Sequence, residues 1–146
     1  MGRYIVRSGV VSLVPSLLIG AALAGTGILT EENAPQNNLN DPAVILFAFV
    51  VFAPIFESFV MAAGLYVFSF LTRRPLRLAA MSAVVWGLLH SLIAPIWGLT
   101  IAWPFFVFSC AYLAWRRRAW WRGMAVAISI HAFQNFFPSL IVAFAP

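Results

Sequence analysis

Residues 43–71 read AVILFAFVVFAPIFESFVMAAGLYVFSFL, a run of 29 residues whose one acidic or basic side chain is Glu57. About 20 apolar residues are enough for a helix to cross the hydrocarbon core of a bilayer, so this run is a membrane span. A carboxylate at the centre of such a helix costs about 2.5–3.5 kcal/mol on insertion scales. Glu57 therefore calls for partners on neighbouring segments.

Four further runs have the same character. Residues 10–29, VVSLVPSLLIGAALAGTGIL, are uncharged, and Gly20 and Ala24 form a small-xxx-small pair suited to close helix packing. With Arg3 and Arg7 ahead of it and Ala22-Leu23-Ala24 near its end, this run also has the shape of a signal peptide or signal anchor. Residues 78–96 hold His90. Residues 99–115 hold Pro104, which removes one helix hydrogen bond. Residues 124–145 hold His131, Gln134 and Asn135. The expected fold is an all-α integral membrane protein, a single transmembrane domain over 1–146 with about five spans.

Charge supports this reading. All nine basic residues are arginines, in short clusters at 3–7, 73–77 and 116–122, each beside an apolar run. A basic chain of ordinary polarity would suggest nucleic acid, but here 63% of residues are hydrophobic and only 9% charged, so the arginines mark membrane topology. Nucleic acid is not an expected partner, and the lipid bilayer is. In RRRAWWRG, residues 116–123, Trp120 and Trp121 form an interfacial belt. The arginine clusters fall on alternate connections, and the polar segment 30–42, TEENAPQNNLNDP, carries Glu31, Glu32 and Asp41 with no base. The positive-inside rule then puts the N-terminus in the cytoplasm and the C-terminus outside, in a cell membrane of prokaryotic type. The single Cys110 excludes an internal disulfide and a cysteine-based zinc site, and reads as a small core residue.

Counted from the nearest arginine at 1.5 Å per residue, Glu57 lies roughly 24 Å deep, His90 roughly 20 Å, His131 roughly 14 Å and Asn135 roughly 20 Å. Three spans thus bring polar groups to similar depth, and His131 and Asn135, four apart, share one helix face. Gln134 is turned about 100° from Asn135 and reads as a structural amide. A carboxylate and an imidazole can hold and deprotonate one water. A second imidazole and an amide can donate hydrogen bonds to an oxyanion. Alternatively, Glu57, His90 and His131 are a ligand set suited to a divalent metal such as zinc, with one position open for water. No serine or cysteine nucleophile motif and no HExxH helix competes with these readings.

Ala53-Pro54-Ile55-Phe56-Glu57, Trp86-Gly87-Leu88-Leu89-His90 and Ser129-Ile130-His131-Ala132-Phe133-Gln134-Asn135 together resemble the CPBP (Abi) family. These are the intramembrane proteases related to the type II CAAX prenyl endopeptidases. The family pattern is Glu-Glu-x-x-x-Arg on one helix, an aromatic-x-x-x-His on the next and His-x-x-x-Asn on a later one. Phe105-Phe106 and Tyr112-Leu113 resemble its region between the two histidines. The likeness covers about residues 53–135, within a family-like core at 43–145. It implies an intramembrane endopeptidase, often labelled a metalloprotease, acting on a membrane-associated peptide or protein. Glu57 and His90 would activate water, and His131 and Asn135 would support the oxyanion. The chain departs from the pattern at Ser58, where the family has a second glutamate, and at Ala62, where it has arginine. That leaves two readings: a minimal protease, or a non-catalytic relative acting as an immunity, binding or accessory protein. A third reading takes the buried carboxylate and imidazoles as a proton or ion conduit.

Overall fold

The computed structural model describes residues 1–30, 32–35 and 38–144. Glu31, Gln36 and Asn37 of the polar loop, and Ala145 at the end of the last expected span, lie outside the described residues. Among the described residues all regular structure is helical: α1 (Gly2–Gly25), α2 (Pro42–Leu46), a π-helical segment (Phe47–Phe52), α3 (Ala53–Phe68), α4 (Pro75–Ser91), α5 (Trp97–Trp115) and α6 (Trp120–Phe144). α2, the π segment and α3 form one unbroken rod of 27 residues. Four helices are long and apolar enough to cross a membrane: α1, the rod Pro42–Phe68, α5 and α6. α4 falls in the third expected span and is shorter, at 17 residues. Pro75 opens it, and a turn over Leu92–Ile96 ends it ahead of the residue 96 expected from sequence.

Helix ends follow local chemistry. α1 begins at Gly2 rather than residue 10, since Arg3 and Arg7 are good helix formers whose exposed side chains can reach water. It stops at Gly25, and Gly27 follows with φ at 72°, a conformation that favours glycine. Asp41 caps the rod: its carboxylate accepts from the backbone N–H groups of Ala43 and Val44, and Pro42 occupies the first turn.

The helices carry apolar side chains on all sides. Leu18, Phe47, Val67, Leu88, Leu99 and Ile141 are among many large hydrophobic residues that face outward. A helix that is hydrophobic all round sits in lipid or in a large core, and a chain of 146 residues cannot bury all five rods in itself. The chain is a membrane protein. Its own core gathers Met61, Leu65, Trp86, Phe105, Phe108, Tyr112, Met124, Val126 and Ile130 where α3, α4, α5 and α6 meet.

Lipid supplies no hydrogen bonds, so backbone groups in the spans must be satisfied within the protein. Four prolines make this acute, because each lacks the N–H that would bond the carbonyl one turn earlier; one is Pro138 in α6, and the other three are answered from neighbouring helices. Pro15 in α1 leaves the Val11 carbonyl free, and the Trp103 indole of α5 donates to it at 2.8 Å. Pro104 in α5 leaves the Thr100 carbonyl free, and the Ser16 hydroxyl of α1 donates to it at 2.8 Å. The two helices close each other's gaps.

The third case lies in the rod. The Ala53 N–H reaches back five residues to the Ala48 carbonyl, which is the π pattern, and so no longer serves Phe49. Pro54 holds the next position and has no hydrogen to give. The Phe49 carbonyl accepts instead from Asn135 Nδ2 of α6, at 2.9 Å.

Smaller contacts complete the bundle. Ser12 Oγ donates to Gln134 Oε1 at 2.8 Å, tying α1 to α6, and Ser109 Oγ donates to Ser82 Oγ at 2.9 Å across α4 and α5. Gly9 of α1 lies against the Phe133 ring, too close for a side chain. α4 and α5 approach most tightly at Gly87 and Gly98, where a Cβ on Gly98 would collide with the Gly87 carbonyl and the Ser91 hydroxyl. Gly98→Ala is expected to destabilise the protein by about 1–3 kcal/mol, since backbone must shift to accept it. Gly2→Ala, with nothing within 4 Å, is expected to leave stability unchanged. Unfolding midpoints in detergent micelles compare the two.

Candidate functional site

The Gly87–Gly98 approach places the last turn of α4 against the first turn of α5, and His90 sits in that crevice. Its Nδ1 lies 2.8 Å from the Trp86 carbonyl, one turn back. A carbonyl only accepts, so Nδ1 carries the hydrogen, and in the neutral ring the lone pair is on Nε2. Three aromatic rings hold the imidazole in place. Trp97 meets it edge-on at 4.8 Å, and Trp86 and Phe105 flank it at 5.7 Å. Trp86 and Phe105 are themselves stacked at 4.2 Å.

His131 occupies the middle of α6 and is 3% exposed. It stacks on Phe108 at 4.5 Å and meets Phe105 edge-on at 5.4 Å. Phe105 thus touches both histidine rings and spaces them. The His131 Nε2 faces Glu57 Oε2 at 3.7 Å. That distance is ion-pair range, longer than a direct hydrogen bond, and close enough for one water to touch both atoms. Glu57 retains 23% exposure, so its carboxylate is reachable, while the imidazole behind it is sealed in. Among the described residues no arginine lies within ion-pair distance of Glu57.

The sequence-predicted residues therefore separate into two groups. Glu57 and His131 meet directly, and His90 joins them across Phe105. Asn135, expected as an oxyanion donor, gives one of its two amide hydrogens to the Phe49 carbonyl. The physical reason is the proline: a carbonyl left open inside a span takes the nearest donor, and Asn135 provides it. Gln134, read as structural, accepts from Ser12. Cys110, read as a core residue, is half-buried.

A metal fits this donor set poorly. Among the described residues no group of three or more His, Cys, Asp or Glu is arranged to hold an ion. Glu57, His90 and His131 do not form such a group, although Phe105 touches both imidazoles. No step of the chemistry is derived through a metal.

Two buried polar atoms at the pair have no hydrogen-bond partner among the described residues: His131 Nδ1 and Ser58 Oγ. Two hollows in the outer surface, lined by Val85, Leu88, Leu89, Ser91 and Leu92 and by Val50, Ala132, Phe133, Phe136 and Phe137, are apolar and contain none of the candidate residues. Sequence reasoning passed over Trp97 and gave Phe105 no role between the histidines. The signal for Phe105 was its place in the one span between His90 and His131.

Ser58 and Ser12 provide a contrast that a stability measurement reads. Ser12→Ala leaves Gln134 without its donor and is expected to cost about 0.6–1.7 kcal/mol, as interhelical hydrogen bonds in membranes do. Ser58→Ala removes a buried hydroxyl that bonds nothing and is expected to be neutral or stabilising. Unfolding of both variants in mixed micelles tests the pair.

Comparison of the chain with known protein families, with curated proteins and with solved structures finds no match.

Proposed function

We propose that the chain is an intramembrane endopeptidase that hydrolyses a peptide bond in a membrane-associated substrate. The observation that carries this reading is the approach of Glu57 Oε2 and His131 Nε2 to 3.7 Å between two spans. The resemblance of the three motifs to the CPBP proteases agrees with it. Glu57 is the general base: it takes a proton from a water held between it and His131, and the hydroxide attacks the scissile carbonyl carbon. His90 Nε2, with its lone pair free, is a second acceptor for that water. The His131 Nε2–H donates to the oxygen of the tetrahedral intermediate. When the C–N bond breaks, the proton on Glu57 passes to the leaving amine.

In this reading α4 also crosses the bilayer, giving five spans with the N-terminus cytoplasmic and the C-terminus outside, in a cell membrane of prokaryotic type. A phosphatase reporter that folds only outside the cytoplasm is expected to be active when fused after residue 146 and inactive when fused between residues 116 and 119.

Ser58, Ala62 and the commitment of Asn135 to Phe49 favour a second reading, a non-catalytic binding or accessory membrane protein. Purified protein incubated with membrane-anchored peptides separates the two. Under the hydrolase reading Glu57→Gln lowers the cleavage rate by at least about 100-fold, the lower end for a lost general base, and His131→Ala does likewise. Cleavage that persists in Glu57→Gln overturns it, and so does a wild-type protein that cleaves nothing.

A further inference from the structure

We infer that Asn135 is a positioning residue for Glu57, acting through the Phe49 carbonyl rather than on the reacting atoms. The inference rests on the reading of Glu57 and His131 as the reacting pair.

A π turn places one additional residue in a helix, so residues on its two sides are turned by about 100° relative to a plain α-helix. The π segment Phe47–Phe52 lies between α2 and α3, and both of these pack against α6. Whether the rod is π or α at this point therefore decides which way Glu57 faces, with α2 held where it is.

The π form leaves one carbonyl open. Ala53 bonds Ala48, and Pro54 has no hydrogen, so Phe49 has no helical donor in that form. In the α form, Ala53 would return to Phe49, and Pro54 would leave the Val50 carbonyl open instead. The two forms differ in which carbonyl is open, and Asn135 supplies a donor to the one that the π form opens, at 2.9 Å. Asn135 also stands one turn beyond His131 on the same helix. The helix that carries the imidazole thus also carries the clamp that aims the carboxylate at it. Pro54 belongs to the device: with no hydrogen at 54 one carbonyl is open in either form, and Asn135 meets the one at Phe49.

The amide donor gives the test its form. The chain has two histidines, so full-length protein labelled with 15N-histidine in micelles gives two sets of ring signals. His90→Ala identifies the His131 set, and Glu57→Gln marks where it moves when the carboxylate is lost. Asn135→Leu, close in volume and without a donor, is expected to shift the His131 signals as Glu57→Gln does. Asn135→Gln, which keeps an amide donor, is expected to hold them nearer the wild-type position. Asn135→Ala serves where leucine does not fold.

His131 signals that stay at the wild-type position in Asn135→Leu overturn the inference. So does a shift in Asn135→Gln equal to that in Asn135→Leu, since the amide donor would then not be what positions Glu57. The readout needs no turnover. The expected pattern in a protein that cleaves no peptide leaves the positioning role standing and removes the hydrolase. Cleavage with His131 unmoved by Asn135→Leu does the reverse.

Discussion

Every proline placed inside a membrane helix leaves a carbonyl that lipid cannot satisfy. Three of the four such positions organise contacts between helices: Val11, Thr100 and Phe49, met by Trp103, Ser16 and Asn135. Each donor comes from a different helix from the carbonyl it meets. Helix pairs in lipid gain little from burying apolar surface, so packing and such bonds hold them together. Prolines that would weaken a helix in water here fix which helix lies beside which.

The candidate site is set within that frame. α4 and α5 meet backbone to backbone at Gly87 and Gly98, and this holds His90 against Trp97. α5 and α6 meet through Phe105 and Phe108, and this holds His131. The rod carrying Glu57 is held at its π segment by Asn135. The acid and the imidazoles are thus carried by helices whose mutual positions are fixed a turn or so away. Sites supported in this way can keep reacting groups in register without direct bonds between them.

Much of this was legible in the sequence. Apolar runs separated by arginine clusters gave the helical membrane architecture, because only helices and closed barrels satisfy their backbone in lipid. Counting residues from the arginines put Glu57 roughly 24 Å and His131 roughly 14 Å deep, a difference that tilt and kinks absorb, since the two meet at 3.7 Å. The partner of Asn135 was not legible. Sharing a face with His131 suggested a common task, but the nearer demand was a backbone carbonyl, which leaves no mark in a side-chain pattern. Pro54 was the clue: it announces an open carbonyl about one turn back, and does not say which helix will close it. The start of α1 at Gly2 was hidden because arginines read as the end of an apolar run while they continue a helix well.

The mutual closure of α1 and α5 has a consequence for how the chain is made. The bonds that join them link residues 84 and 92 positions apart in sequence. During synthesis α1 enters the membrane with the Val11 carbonyl open, and its partner is not yet translated. The gap persists until α5 arrives, which brings its own gap at Thr100 and closes both at once. Neither helix is complete as a lone insert, so each completes the other. The order of synthesis therefore makes the meeting of α1 and α5 the step that closes two gaps together, before α6 brings Asn135 to the third at Phe49.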